Sequence, residues 1–195
     1  MTKGERTRQL IIERSAPLFN KKGLSGTSLS DILEVTGLAK GSLYVHFENK
    51  DAIANAVIDH YKDLKSLLLD QVVRKSKCAK DSLLAYLNIF VNPLTSPFSG
   101  GCPFLNFGME VDDTHEQIRQ KIKFAIELEL QRIAEVIERG INNSEFNSNW
   151  NPKEFAIKLY AMMEGTIMMS RVTGNRSYIA SAAKLLKAEI MQNLL

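Results

Sequence analysis

The segment TGLAKGSLYVHFENKD, from Thr36 to Asp51, concentrates hydrogen-bond donors behind a glycine turn. The donors are Lys40, Ser42, Tyr44, His46 and Lys50. Lysine and serine side chains can reach phosphate oxygens or base edges, and tyrosine and histidine can donate to phosphates. Ala39 and Gly41 are small, so the backbone beside them can approach another molecule closely. The segment therefore has the chemistry of a contact with a nucleic-acid duplex.

Three short helices must position these side chains. Apolar residues spaced by three or four predict helices at about 4–21, 29–35 and 39–46, and the first should end near Gly23. A tight turn around Gly37 separates the second helix from the third. This spacing is typical of a helix-turn-helix unit, which places its second helix in the major groove of DNA.

The ends of these helices carry capping signals. Thr27 or Ser28 can cap the second helix, and Gly37 can end it because glycine readily adopts a positive φ. Asn49 can cap the helix that follows. Ala39 precedes the third helix and has no side-chain oxygen, so we expect no side-chain cap there.

These residues resemble those of a known family. The resemblance rests on Thr27, Ser28, Asp31, Ile32, Gly37, Leu38, Lys40, Gly41, Ser42, Leu43, Tyr44, His46, Phe47, Lys50 and Asp51. Together they resemble the N-terminal signature of TetR-type transcriptional regulators, over roughly residues 7–60. The resemblance implies an all-α fold: an N-terminal three-helix helix-turn-helix DNA-binding head, residues 1–48, and a larger C-terminal helical domain, residues 49–195, for ligand binding and dimerisation. Ala39 departs from the family pattern, which usually has serine or threonine near this point.

The resemblance also implies where DNA is contacted. We expect the contacts at Thr27, Ser28, Lys40, Gly41, Ser42, Tyr44, His46 and Lys50. The expected partner is double-stranded operator DNA with a palindromic site, because paired half-sites match the two-fold symmetry of a dimer.

The C-terminal part of the sequence predicts longer helices. They lie at about 83–91, 115–141, 153–173 and 177–194, with a breaker-rich stretch at 93–103 and a polar loop at 142–152. The last two helices are apolar on more than one face, and they contain the small residues Gly165, Ala180, Ser181 and Ala183. We expect a homodimer through these two helices, two from each subunit.

Aromatic and methionine side chains in the same part of the chain are candidates for a ligand pocket. They are Phe90, Phe98, Phe104, Phe107, Met109, Phe124, Met162, Met163 and Met168. Flexible methionines and rigid phenylalanines can line an adaptable apolar pocket for a small-molecule effector. Each of them can equally well belong to the hydrophobic core, and the sequence leaves both interpretations open.

Cys102 is a candidate for a reactive thiol, which would be an alternative to a ligand pocket. It follows two glycines and precedes Pro103, so it can stand at the N-cap of a helix. A thiol at a helix N-terminus can have a lowered pKa and react, whereas a buried cysteine is more often a small hydrophobe. A thiol-based redox or electrophile sensor is therefore an alternative, and a helical small-molecule carrier is another.

Composition excludes several classes of protein. The chain has 195 residues and a net charge of +3, and its first 24 residues contain six basic and two acidic side chains. No apolar run reaches the roughly 20 residues of a membrane span, and no signal-peptide pattern occurs. With only two cysteines, we expect a cytoplasmic protein.

Motifs of enzymes and metal sites are missing from the sequence. His46, His60 and His115 lack the spacing of metal ligands. We therefore expect no enzyme, no metal and no cofactor. The sequence predicts instead a homodimeric, ligand-responsive transcriptional regulator, and the resemblance implies a repressor that a small apolar or amphipathic molecule releases from its operator.

Overall fold

The structure is a computed structural model, and it describes residues 1–92, 98–111 and 115–195. The helices are α1 Lys3–Gly26, α2 Leu29–Thr36, α3 Lys40–His46, α4 Lys50–Lys75, α5 Ala79–Val91, α6 Pro103–Val111, α7 Glu116–Asn142, α8 Pro152–Thr173 and α9 Ser177–Gln192. Within the described ranges, the only extended pairing is an isolated bridge between Phe146 and Leu194. The predicted all-α fold is confirmed. Residues 93–97 of the predicted breaker-rich stretch lie outside the described residues.

The chain forms two compact units. The first comprises Met1–Lys65 and Phe98–Ala125, and the second comprises Ser66–Pro97 and Ile126–Leu195. The divisions fall inside α4 and inside α7. The division at residues 48 and 49 stays a prediction about function.

In the first unit, α1 packs against α2, α3 and α6, and the beginning of α4 belongs to the same unit. Fully buried side chains come from every one of these helices, and they include Ile11, Phe19, Ile32, Leu43, Ile53 and Val57. α1 is longer than predicted, because helical structure resumes after a break at Gly23, whose φ is 78° and ψ is 174°. The break turns the chain toward α2, so it helps to set the angle between the first two helices.

The second unit has its own hydrophobic core, built from α5, α7, α8 and α9 with Leu69 of α4. The predicted polar loop at 142–152 is wrong in one respect, because Phe146 and Trp150 are buried. Their rings meet at 4.9 Å, and Trp150 also packs against Phe155 at 4.6 Å. The loop therefore contributes aromatic area to the core.

α5 begins four residues earlier than the sequence predicts. Its first N–H groups belong to Ala79 and Lys80, and both donate to the carboxylate of Glu145, at 2.8 and 2.7 Å. A helix start needs acceptors for its free N–H groups, and Glu145 supplies them from 65 positions further along the chain. A local reading of the sequence cannot find such a cap.

Candidate nucleic-acid interface

The start of α2 is fixed by a reciprocal cap. Ser28 Oγ accepts the N–H of Asp31 at 3.1 Å, and the Asp31 carboxylate accepts the N–H of Ser28 at 2.9 Å. Lys22 of α1 donates to the same carboxylate at 2.7 Å. The hydrogen bond from Lys22, followed by those from Ser28, lowers the pKa of Asp31 to about 2. Of the two capping residues that the sequence allowed, the structure uses Ser28.

The turn between α2 and α3 has the predicted geometry. Gly37 takes the left-handed conformation, with a φ of 69°, and its N–H donates to the carbonyl of Leu33 at 2.9 Å. Ala39 occupies the N-cap of α3 and makes no side-chain cap. The predictions for both positions are confirmed.

α3 has one buried side and one exposed side. Leu43 is buried and anchors the helix to the core. The opposite side presents Lys40, Gly41, Tyr44 and Val45, with Val45 exposed by 79%. Lys40 and Tyr44 are four positions apart, as are Gly41 and Val45, so the two pairs share one face, which we call the reading face. Val45 was missed in the sequence, although its place four residues after Gly41 could have revealed it.

Gly41 has no structural reason to be a glycine. Its φ is not positive, and a Cβ added there would meet no atom within 4 Å. Glycine in a helix costs about 1 kcal/mol relative to alanine. A glycine kept at this cost on an exposed face fits a surface that another molecule must approach closely.

The other predicted contacts differ in how accessible they are. Ser28 is exposed, and Ser42 and His46 are half-buried at the side of the reading face. Thr27 is buried, and its hydroxyl donates to the carbonyl of Gly23 at 2.7 Å. Lys50 is half-buried, and its Nζ donates to the carbonyl of Leu24 at 2.7 Å. Thr27 and Lys50 therefore both take part in the turn between α1 and α2.

Comparison with known proteins decides the family. Residues 79–186 match the family profile described as "Tetracyclin repressor-like, C-terminal domain". Residues 11–57 match the profile "Bacterial regulatory proteins, tetR family". The first match alone spans more than half of the chain. The chain belongs to the TetR family of transcriptional regulators.

Solved TetR-family structures are similar over the full length. A regulator from Cytophaga hutchinsonii is 39% identical, with a TM-score of 0.92 over 100% of this chain and 98% of that one. A regulator from Chloroflexus aurantiacus is 31% identical, with a TM-score of 0.91 and the same coverage. Among curated relatives, the HTH-type transcriptional repressor DhaR of a Mycobacterium species is 25% identical over 87% of this chain and 84% of its own. Members of the TetR family regulate transcription and bind operator DNA as dimers.

The nine candidates for a TetR-type ligand pocket fall into both units. Phe98, Phe104, Phe107, Met109 and Phe124 lie in the first unit, and Phe90, Met162, Met163 and Met168 lie in the second. In the first unit, the ring of Tyr61 packs against Phe98 at 5.8 Å and Phe107 at 6.3 Å. Met109 is exposed by 75% and Phe124 by 56%. In the second unit, Met163 is fully buried and Met168 is 48% exposed. These residues therefore do not share one environment.

Two of the open cavities formed by the described residues lie in the second unit, and neither is lined by any of these nine side chains. One, of about 320 Å³, is bordered by Arg74, Arg132 and Arg139, and Arg132 is ion-paired with Asp70. The other, of about 500 Å³, has an apolar floor that includes Val72 and Ile89. Among the described side chains, no group of three or more His, Cys, Asp or Glu could hold a metal ion.

Cys102 lies directly before α6, where Pro103 is the first helical residue as predicted. The thiol is buried, and Lys65 Nζ lies 3.8 Å from its sulfur. Lys65 is thus a cation beside the Cys102 thiol, and the sequence did not reveal it because the two residues are 37 positions apart. The comparisons do not favour the thiol sensor or the carrier over a ligand-responsive TetR regulator.

α8 and α9 expose an apolar surface. On α8, Ile157, Ala161, Gly165, Met168 and Val172 recur at helical spacing, and Val172 is exposed by 79%. On α9, Leu185 is exposed by 62% and Met191 by 48%, with Ser181 and Ala188 also exposed. We call these nine residues the α8–α9 stripe.

In the described part of the chain, no helix is long and apolar enough to cross a membrane.

Proposed function

We propose that this protein is a cytoplasmic, homodimeric repressor that reads a palindromic operator with α3 and leaves it when a small molecule binds. The main support for DNA binding is the reading face of α3. Lys40, Tyr44 and Val45 are exposed there, beside Gly41, a glycine that internal packing does not require. The repressor DhaR, similar over most of both chains, supports the direction of regulation.

The proposed contacts divide the reading face by chemistry. Lys40 reaches a guanine edge or a phosphate, and Val45 offers methyl groups to the methyl of a thymine. Gly41 lets the backbone of α3 approach the groove. Tyr44 donates to phosphates, with Ser42 and His46 beside it. Ser28 is exposed at the start of α2, but its hydroxyl donates to the Asp31 carboxylate at 2.9 Å, so a hydrogen bond from it to a phosphate would replace that bond. Thr27 is left out of the proposed interface because its hydroxyl is buried.

The α8–α9 stripe is the proposed dimer interface. Large apolar side chains such as Val172 and Leu185 would be removed from water there, and burying an apolar side chain of this size stabilises by about 1.5–3 kcal/mol. A Cβ at Gly165 would meet no atom of its own chain within 4 Å, so this glycine leaves room for a partner helix. Two subunits are needed because paired half-sites require two copies of α3.

The proposed effector is an apolar or amphipathic small molecule bound by the helical body, residues 49–195. The support is the half-buried apolar side chains of Phe90, Phe98 and Met162 in this part of the chain. Binding would favour one of two arrangements of the subunits, and operator affinity falls if the two copies of α3 no longer match the groove spacing.

The direct test is a selection of bound sequences from random duplex DNA with the purified protein, followed by a salt titration on the enriched site. We expect a palindrome whose affinity falls as salt rises. Tyr44→Ala should lose the enrichment, whereas Tyr178→Ala, which changes a half-buried tyrosine of α9, should keep it. An absence of any enriched sequence, or equal enrichment by Tyr44→Ala, contradicts the proposal.

The enriched site then serves as a reporter for effectors. Small apolar and amphipathic molecules are added to the protein–DNA complex, and release is followed by fluorescence anisotropy. A true effector must also raise the melting temperature of the free protein, because a ligand that binds the native state stabilises it. If no compound of this class does both, the effector part of the proposal is wrong, and the DNA-binding part is unaffected.

A further inference from the structure

The turn between α1 and α2 is held by a carboxylate from α6. Glu110 Oε2 accepts the N–H of Leu24 at 2.7 Å and the N–H of Ser25 at 3.2 Å. Glu110 lies 85 or more positions away from both donors, and all three residues belong to the first unit. Hydrogen bonds to an ionised acceptor are roughly twice as strong as neutral ones, so this carboxylate fixes the turn firmly.

Gly23 is the residue that admits the carboxylate. Its φ of 78° is one that other residues rarely adopt. A Cβ at this position would lie 1.8 Å from Glu110 Oε1 and 2.7 Å from the carboxyl carbon. Real Cβ atoms do not approach other atoms so closely, so any side chain at residue 23 would expel Glu110 from its place.

A second group of hydrogen bonds holds the start of α6 against α1. The side-chain nitrogen of Asn20 donates to the carbonyls of Ser99 and Gly101, each at 3.0 Å. The side-chain nitrogen of Asn106 donates back to the Asn20 carbonyl at 3.0 Å. Asn20 is 3% exposed, so these bonds are sheltered from water. They set where α6 lies along α1, and thereby where Glu110 reaches the turn.

The clamped turn leads directly into the proposed DNA-binding element. Leu24 and Ser25 stand three or four residues before Ser28, which caps α2. Lys50 donates to the carbonyl of Leu24, so the peptide group between Leu24 and Ser25 is bonded through its C=O by the start of α4 and through its N–H by Glu110 of α6. We propose that Glu110 is a positioning residue for DNA recognition: it holds the α1–α2 turn in the conformation that presents α2 and α3 to a duplex. This inference rests on the proposed function.

The test compares carboxylate variants by operator affinity. Glu110→Ala removes the acceptor, whereas Glu110→Gln keeps an oxygen that can accept the same two N–H groups. Glu145→Ala is the matched control, because Glu145 also accepts two backbone N–H groups, but in the second unit and at the start of α5. Each protein is measured for melting temperature, for operator affinity well below melting, and for hydrogen exchange at the amides of Leu24 and Ser25.

A positioning role predicts a specific pattern. Glu110→Ala weakens operator binding by about tenfold, because apparent affinity falls in proportion to the fraction of molecules in the competent conformation. Glu110→Gln recovers part of this loss, because it keeps an acceptor oxygen but not the negative charge. Glu145→Ala lowers the melting temperature and leaves operator affinity unchanged. If Glu110→Ala lowers only the melting temperature, as a purely structural residue would, the inference is overturned.

Failure of the inference is separable from failure of the proposed function. If the unaltered protein binds an operator and Glu110→Ala binds it equally well, only the inference fails. If the unaltered protein selects no DNA sequence, the proposed function fails. Hydrogen exchange still tests the clamp in that case, since Glu110→Ala must speed exchange of the two amides and Glu110→Gln must restore part of their protection.

A double-mutant cycle checks that Gly23 and Glu110 act together. Gly23→Ala should weaken operator binding in the same way as Glu110→Ala, because both expel the carboxylate from the turn. The two changes combined should then weaken binding by less than the product of the separate factors. Full multiplication of the two factors would mean that Gly23 does not act through Glu110.

Discussion

The ammonium nitrogen of Lys50 donates a hydrogen bond of 2.7 Å to the carbonyl oxygen of Leu24. The sequence predicted Lys50 as a phosphate contact, and the structure shows that one of its three donors bonds within the protein. Lys40 differs, since it is exposed on the reading face of α3. Lys40 can therefore support DNA binding by a direct contact, and Lys50 by stabilising the turn before α2.

Replacing each lysine by methionine should distinguish these roles. A plot of log affinity against log salt concentration has a negative slope. Lys40→Met is expected to make this slope less steep by about 0.9 per half-site, the value for one lost phosphate contact. Lys50→Met should weaken binding with a smaller change of slope, because it loosens the turn before α2. Equal changes of slope in a salt titration of the two variants would identify Lys50 as a phosphate contact after all.

Val45 should determine a base preference. Its side chain is the most exposed apolar group of α3, and an apolar contact with a thymine methyl discriminates between bases. Val45→Ala is expected to reduce the preference at one position of each half-site by about 1 kcal/mol, at the low end of the cost of a mismatched base pair. Repeating the sequence selection with the variant measures this. A preference that is unchanged at every position would remove Val45 from the interface.

Stability at low pH should depend on Asp31. Its pKa is lowered from 3.8 to about 2 in the folded protein, so the folded state favours the ionised carboxylate. The stabilisation of the folded state by the ionised Asp31 carboxylate is present at pH values above 3.8 and is lost as the pH falls to about 2. The difference in melting temperature between the protein and Asp31→Asn should therefore shrink across this range. Glu34→Gln, which changes an exposed carboxylate of the same helix, serves as the control. A difference that stays constant down to the lowest pH would show that the charge of Asp31 is not involved.

The α8–α9 stripe should control the oligomeric state. Val172→Glu and Leu185→Glu each place a charge where the proposed interface excludes water, and a buried unpaired charge is strongly unfavourable. Sedimentation velocity should detect monomers for both variants, with weaker operator binding. Met109→Glu changes a residue that is also highly exposed but lies in the first unit, so it should remain dimeric. Dimers in all three variants would exclude the stripe as the interface.

Local signals predicted how α2 begins, how it ends and how α3 begins. The Ser28 cap, the positive φ of Gly37 and the absence of a cap at Ala39 each depend on residues within three or four positions, so the sequence contains the information. Helix spacing could also have identified Val45. The burial of Thr27 was missed because its hydroxyl turns back to the carbonyl of Gly23, which depends on a break in α1.

Long-range hydrogen bonds account for what the sequence could not predict. Glu110 and Glu145 each satisfy backbone N–H groups more than 60 positions away, and no periodic pattern marks such partners. The early start of α5 follows from one of these bonds. The burial of Phe146 is another case, since a loop rich in asparagine and serine gives no local sign that its aromatic residues enter the core.

The empty space around Gly41 has a consequence for a cell that makes both the unaltered chain and the Gly41→Ala variant. Gly41→Ala should fold at least as well as the unaltered chain, because nothing crowds the new methyl group and alanine favours the helix. It should also leave the α8–α9 stripe intact, so altered and unaltered chains would pair. Each mixed pair would carry one copy of α3 that cannot approach the groove. A single allele could therefore silence its partner, and the change would be genetically dominant without any loss of protein.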